Sequence, residues 1–131
     1  DIVYCSPRAS FRIELAEFNL SPFGGASYTF PRIFGRSLSS EILYYSREIT
    51  AGDAYRTGFA SEIFKDDSLY TKCCNVARRF VQVSDATKDY KQSMRQYNIA
   101  QLKEVIEEEL ENLVVTWQSV EYYLLLRKKF H

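Results

Sequence analysis

The chain has 131 residues, room for one small domain with one core. Its 46% hydrophobic and 26% charged shares exclude a disordered chain, and 17 Lys and Arg against 17 Asp and Glu leave no electrostatic case for a nucleic-acid partner. Aromatic residues reach 15%, which points to a large apolar contact area, an interface included.

The chain opens on Ile2-Val3-Tyr4-Cys5, a β-branched apolar run that Ser6-Pro7 ends, and this predicts a short buried strand. Residues 10–15 alternate, with Phe11, Ile13 and Leu15 on one side and Arg12 and Glu14 on the other, the pattern of a half-buried strand. Residues 18–25 form a loop, broken by Asn19, Ser21, Pro22 and the pair Gly24-Gly25. A helix follows over residues 25–34, with Pro31 inside it and Gly35 as its stop. Two glycines before a helix let the backbone approach a ligand and leave N–H groups pointing outward. Phe23, at the tip of that turn, has no proton to give or take.

Ser37 or Ser39 caps the next helix, which carries Leu38, Ile42 and Tyr45 along one face. Thr50 caps a third helix over residues 51–57 that Gly58 ends, and residues 59–64 read as a strand. Asp66-Asp67-Ser68 opens a helix with Leu69, Cys73, Val76 and Phe80 in line, and Ser84-Asp85 caps a polar helix to about residue 95. The strongest periodicity comes next: Ile99, Leu102, Ile106, Leu110, Leu113 and Trp117 make one helical stripe. The glutamates across residues 104–111 read as its solvated face. A last segment, residues 120–130, has an apolar run at 122–126 and a basic tip, Arg127-Lys128-Lys129.

Three cysteines with an adjacent pair, Cys73-Cys74, make a poor disulfide framework, so reduced thiols and an intracellular setting are expected. One His and no His/Cys spacing argue against a zinc site. The apolar runs are too short to span a bilayer, so no membrane partner is expected. The chain begins with Asp1 rather than Met, inside an apolar run, and is expected to be a piece of a longer protein.

Several motifs occur together in order: Asp1-Ile2-Val3-Tyr4-Cys5-Ser6, Ala9-Ser10-Phe11, Ser21-Pro22 before Gly24, Ser27-Tyr28-Thr29-Phe30-Pro31-Arg32-Ile33 before Gly35, Ile49-Thr50-Ala51-Gly52-Asp53-Ala54, and Gly58-Phe59-Ala60-Ser61-Glu62-Ile63-Phe64. In these the chain resembles the C-terminal half of the crotonase (enoyl-CoA hydratase/isomerase) superfamily, with a likeness to the peroxisomal Δ3,Δ2-enoyl-CoA isomerases and to the chromodomain Y-like proteins. The resemblance implies a helix-rich α/β (α+β) class, a spiral of ββα turns closed by C-terminal trimerisation helices. Residues 1–83 would then be the C-terminal part of the core and 84–131 the trimerisation region, in a trimer or hexamer.

The resemblance also implies an activity on acyl-CoA of fatty-acid metabolism, in a peroxisome or a mitochondrion. A glutamate moves a proton between C2 and C4 of a 3-enoyl-CoA, while two backbone N–H groups hold the thioester oxygen. The α-proton of a thioester is weakly acidic, so the enolate needs such an oxyanion hole. No separate cofactor is implied; the coenzyme A thioester is itself substrate or ligand.

This sequence departs from that pattern at two places. The isomerase turn reads Ser-Pro-Glu-Gly, and here Phe23 stands at the glutamate. Leu15 stands where hydratases carry theirs, and Glu14 and Glu17 read as solvated or paired charges. The oxyanion-hole segments of the family would precede Asp1. Phe23, Gly24, Gly25, Tyr28 and Phe30 are thus expected to line a substrate pocket without a confirmed catalytic residue. Arg127, Lys128 and Lys129 are either CoA-phosphate ligands or cations favoured at a helix C-terminus. A non-catalytic module that binds CoA or a protein partner is the other reading.

Overall fold

The computed structural model describes residues 2–82, 86–96 and 99–130. The cap expected at Ser84-Asp85, the boundary between residues 83 and 84, and His131 lie outside the described residues. In chain order the elements are β1 (Tyr4–Cys5), β2 (Ser10–Phe11), a 3₁₀ turn (Leu15–Phe18), α1 (Ala26–Phe34), α2 (Arg36–Tyr45), β3 (Ile49–Thr50), α3 (Ala51–Arg56), β4 (Glu62–Ile63), α4 (Asp66–Gln82), α5 (Ala86–Gln96), α6 (Ile99–Trp117) and α7 (Val120–Phe130). By packing, the chain divides into one unit of residues 1–9 and 50–100 and another of residues 10–49 and 101–131.

In the first unit β1 and β4 are parallel, with Tyr4 opposite Glu62 and Cys5 opposite Ile63. A parallel pair needs a long connection, and here more than fifty residues separate the two strands in sequence. The ladder is short because each strand has one two-residue partner, so the longer strands expected at 2–5 and 59–64 are trimmed. Thr50 caps α3 as expected, and does so in a full box. Its hydroxyl accepts from the Asp53 N–H at 3.1 Å, and the Thr50 N–H donates to the Asp53 carboxylate at 3.2 Å. The small side chains of Ala51, Ala54 and Ala60 are buried, and Cys5 is a free thiol in the same core. Of the expected α4 line, Leu69, Cys73 and Val76 are half-buried, whereas Phe80 is 46% exposed. Cys73, Val76 and Phe80 line an apolar groove of about 430 Å³ with Ile2, Val3, Tyr4 and Ala77.

β2 lies beside β3, whose first residue, Ile49, belongs to the second unit. The strand expected over 10–15 stops at Phe11. The Glu17 N–H donates to the Glu14 carbonyl at 3.1 Å and the Leu20 N–H to the Leu15 carbonyl at 3.0 Å, which coils the chain into the 3₁₀ turn. Asn19 ends it at φ 57°, a left-handed conformation that Asn tolerates. Gly35, not Ser37 or Ser39, starts α2. At φ 73° its N–H donates to the Pro31 carbonyl to close α1, and its carbonyl accepts from the Ser39 N–H to open α2, which places both serines inside the helix. Ile42 is fully buried as expected, but Tyr45 is 80% exposed and the buried neighbour of Ile42 is Ser39.

The stripe on α6 also splits. Leu102, Ile106 and Leu113 are half-buried, whereas Ile99, Leu110 and Trp117 are exposed. Among the described residues no helix is long and apolar enough to cross a membrane. None of their His, Cys, Asp and Glu side chains forms a group of three placed to hold a metal ion.

Candidate functional site

The turn that ends in Gly25 is built from two consecutive residues at positive φ, Gly24 at 72° and Gly25 at 79°. A β-carbon is strained there, which is why two glycines are needed. The turn leaves Phe23 half exposed at its tip and buries Gly25 beneath it.

Gly25 is the N-cap of α1 and has no side chain to satisfy the first N–H groups of the helix. A carboxylate from α6 does so instead. Glu109 Oε2 accepts from the Gly25 N–H at 2.6 Å. Glu109 Oε1 accepts from the Ser27 N–H at 2.8 Å and from the Ser27 hydroxyl at 2.6 Å. Glu109 is only 5% exposed, and its carboxyl group lies at the N-terminus of α1. Two more contacts tie α6 along the same segment. The Ser21 N–H donates to Thr116 Oγ1 at 3.2 Å, and the Tyr28 hydroxyl donates to Gln101 Oε1 at 3.1 Å.

The residues expected to form one pocket wall are placed apart. Tyr28 is buried against α6, with the Arg32 guanidinium 3.3 Å over its ring. Phe30 packs edge-on against Phe34, ring centroids 5.3 Å apart. Two residues apart on a helix means about 200° of rotation, so Tyr28 and Phe30 face different ways. Phe23, Gly24 and Gly25 do share the turn.

The basic tip of α7 is put to a structural use. Lys129 Nζ lies 2.9 Å from Glu14 Oε2 and 3.1 Å from Glu17 Oε2, and 4.7 Å over the Phe18 ring. Arg12 joins the same carboxylates, at 3.1 Å from Glu14 and 2.5 Å from Glu17, and its Nε donates to the Ser46 carbonyl. Glu14 and Glu17 are therefore paired charges, as expected, and Lys129 is committed to them. Arg127 and Lys128 are exposed, and Lys128 lines a small groove with Glu17, Phe18, Leu125 and Lys129.

The hydrogen bond from Lys129 holds the Glu17 carboxyl below the usual glutamate range. Those to Glu14 and then Glu17 hold Lys129 above the usual lysine range. A carboxyl with a lowered folded pKa stabilises fully above the ordinary glutamate pKa and loses that share as pH falls through the lowered value. The raised lysine stabilises fully below the ordinary lysine pKa and loses its share as pH rises through the raised value. Both groups are exposed, so the effect is small and salt-sensitive. Thermal melts of Lys129→Gln should thus fall slightly below wild type near pH 7 and low salt. The gap should narrow as pH falls below the ordinary glutamate range and through the lowered Glu17 value. Equal melts at pH 7 in low salt would remove this network from the stability of α7.

A family model described as Enoyl-CoA hydratase/isomerase matches residues 1–123. The chain belongs to the enoyl-CoA hydratase/isomerase family. It is 31% identical to human enoyl-CoA delta isomerase 2 over 92% of this chain and 31% of the relative. It is 32% identical to mouse chromodomain Y-like protein 2 over 91% of this chain and 24% of the relative. The chain thus spans about a third or less of these two relatives. Its fold superposes on the crystal structure of an enoyl-CoA hydratase/isomerase from Pseudoalteromonas atlantica with TM-score 0.96 and 22% identity, covering 99% of this chain and 53% of the other. The fold is therefore the crotonase fold that the motifs suggest.

For a member of the enoyl-CoA hydratase/isomerase family, the turn is notable for its chemistry. Its tip carries a phenyl ring, and the carboxylate that reaches it, Glu109, already accepts three hydrogen bonds. A base must have a lone pair within reach of the substrate proton. Glu109 does not belong to the solvated glutamate face expected over residues 104–111. Glu104, Glu107, Glu108 and Glu111 are exposed, but Glu109 is not, because its carboxylate is drawn to the N-terminus of α1. A signal for this exists in the sequence: positions 102, 106, 109 and 113 step by four, three and four, which puts Glu109 in the apolar stripe.

Proposed function

We propose that this chain is an acyl-CoA-binding member of the isomerase lineage of fatty-acid metabolism, impaired in the isomerase step. The observation that carries the reading is Phe23. It stands at the tip of a turn otherwise built as the isomerase pattern prescribes, and it cannot carry a proton. The likeness to enoyl-CoA delta isomerase 2 supports the substrate class. The thioester is the ligand, with no separate cofactor, and Arg127 and Lys128 are candidates for its phosphates. A peroxisome or mitochondrion fits that substrate class.

The likeness to chromodomain Y-like protein 2 supports a second reading, a non-catalytic module whose ligand is a protein or CoA itself. Either reading is compatible with a homo-oligomer, trimer or hexamer. Support for assembly comes from the exposed apolar side chains of Leu110, Val114, Trp117, Val120, Tyr123 and Leu124 on α6 and α7.

The test is to mix the chain with a 3-enoyl-CoA and follow both conjugation of the double bond and binding by calorimetry, with sedimentation on the same samples. Binding without turnover, in a self-associated species, is the expected result. Turnover at an ordinary isomerase rate would overturn the impairment, and absence of any acyl-CoA binding would favour the protein-interaction reading.

A further inference from the structure

Glu109 is a buried carboxylate outside the motifs that carry the family resemblance. It differs from an ordinary helix cap in its origin: it lies 84 residues from Gly25 in sequence, on another helix. It also uses both of its oxygens, one on Gly25 and one on Ser27. Those two N–H groups belong to the first turn of α1, where no intrahelical acceptor exists. The same face of α6 presses on the turn. A β-carbon built on Gly25 would lie 2.6 Å from Leu102 Cδ1 and 3.5 Å from Ile106 Cγ1, so the turn sits directly on the helix.

The direction of residue 23 follows from how Gly25 is held, because only Gly24 separates them. A β-carbon added at Gly24 would meet nothing within 4 Å, so α6 does not press on that side of the turn as it does at Gly25. Gly25 is held by a short charge-assisted bond. We propose that Glu109 is a positioning residue: by capturing the Gly25 and Ser27 N–H groups it fixes the turn so that residue 23 is presented to the acyl chain. This rests on the proposed binding of acyl-CoA. It also means that the N-terminus of α1 is already filled by the protein's own anion, so the phosphates of coenzyme A must bind elsewhere.

Amide spectroscopy on the full chain tests this, with a thioether analogue of octanoyl-CoA and plain CoA as probes. In the wild type the Gly25 and Ser27 amides should exchange with solvent slowly, although first-turn amides normally exchange fast. In Glu109→Gln both should exchange at least about tenfold faster, and the Phe23 and Gly24 resonances should move with them. Affinity for the acyl analogue should fall about tenfold while that for plain CoA holds. Unprotected Gly25 and Ser27 amides in the wild type, or unmoved Phe23 and Gly24 resonances in Glu109→Gln, would overturn the proposal. So would an unchanged affinity for the analogue. If Glu109→Gln does not fold, Ser27→Ala decides: losing one of the three bonds should shift the same four resonances by less, and no shift overturns the idea. If the wild type binds no analogue yet shows the amide pattern, the acyl-CoA reading fails and the fixing of residue 23 by Glu109 stands.

Discussion

Gly25→Ala is expected to destabilise the fold by about 3 kcal/mol, the largest effect of any single added carbon in the second unit. Two independent costs combine. At φ 79° a β-carbon is strained by about 1–2 kcal/mol. The new methyl would also meet Leu102 Cδ1 at 2.6 Å, closer than carbon atoms pack, and relieving such overpacking costs about 1–3 kcal/mol. The two costs are separable. In a Leu102→Ala background the methyl has room, so the added cost of Gly25→Ala should drop to the backbone share. Chemical denaturation of the four proteins of this cycle measures it. A cost below about 1 kcal/mol in the native background would mean that α6 does not seat on the turn.

Ile42→Ala should cost about 3–4 kcal/mol, whereas Ile42→Val should cost about 1 kcal/mol. Ile42 is 0% exposed and sits on α2, which packs on α1, where Tyr28 and Phe34 are buried as well. Removing three carbons from a closed site leaves a cavity that neighbouring side chains fill poorly; removing one leaves little. Denaturation midpoints read the difference. Equal losses for the two variants would place Ile42 in a site able to collapse, and so outside the close-packed core. The prediction bears on function because α1 carries the turn at its N-terminus, and loosening α2 beneath it loosens the site.

The turn itself is legible in the sequence. Ser21, Pro22, Gly24, Gly25 and Gly35 are residues whose backbone preferences act locally, and all three glycines adopt left-handed φ. Thr50 and Asp53 are legible for the same reason, since a capping box spans four residues. Helix existence is also readable, because an apolar period survives over many residues. The strands are shorter than their apolar runs suggest. Their ends depend on where a partner strand runs out, and that partner is distant in sequence. The serine caps expected for α2 fail because Gly35 closes one helix and opens the next in a single residue.

The site divides in the same way. That the tip of the turn is Phe23, a side chain with no proton to carry, is a statement about one residue at one position, so the chain alone carries it. The pocket wall of Phe23, Tyr28 and Phe30 is not, because helical rotation sends Tyr28 to Gln101 and Phe30 to Phe34. On sequence grounds Lys129 is equally a phosphate ligand or a helix-end cation, and it becomes a partner of Glu14 and Glu17 only once α7 meets the 3₁₀ turn.

Local backbone chemistry determined the turn, with Phe23 at its tip, and the order of motifs determined the family, since both are read from residue identities alone. Tertiary structure alone decided what holds that turn. Glu109, Thr116 and Gln101 come from a helix more than seventy residues downstream, and although its spacing sets Glu109 in the apolar stripe, only the fold brings its two oxygens to the unsatisfied N–H groups of Gly25 and Ser27.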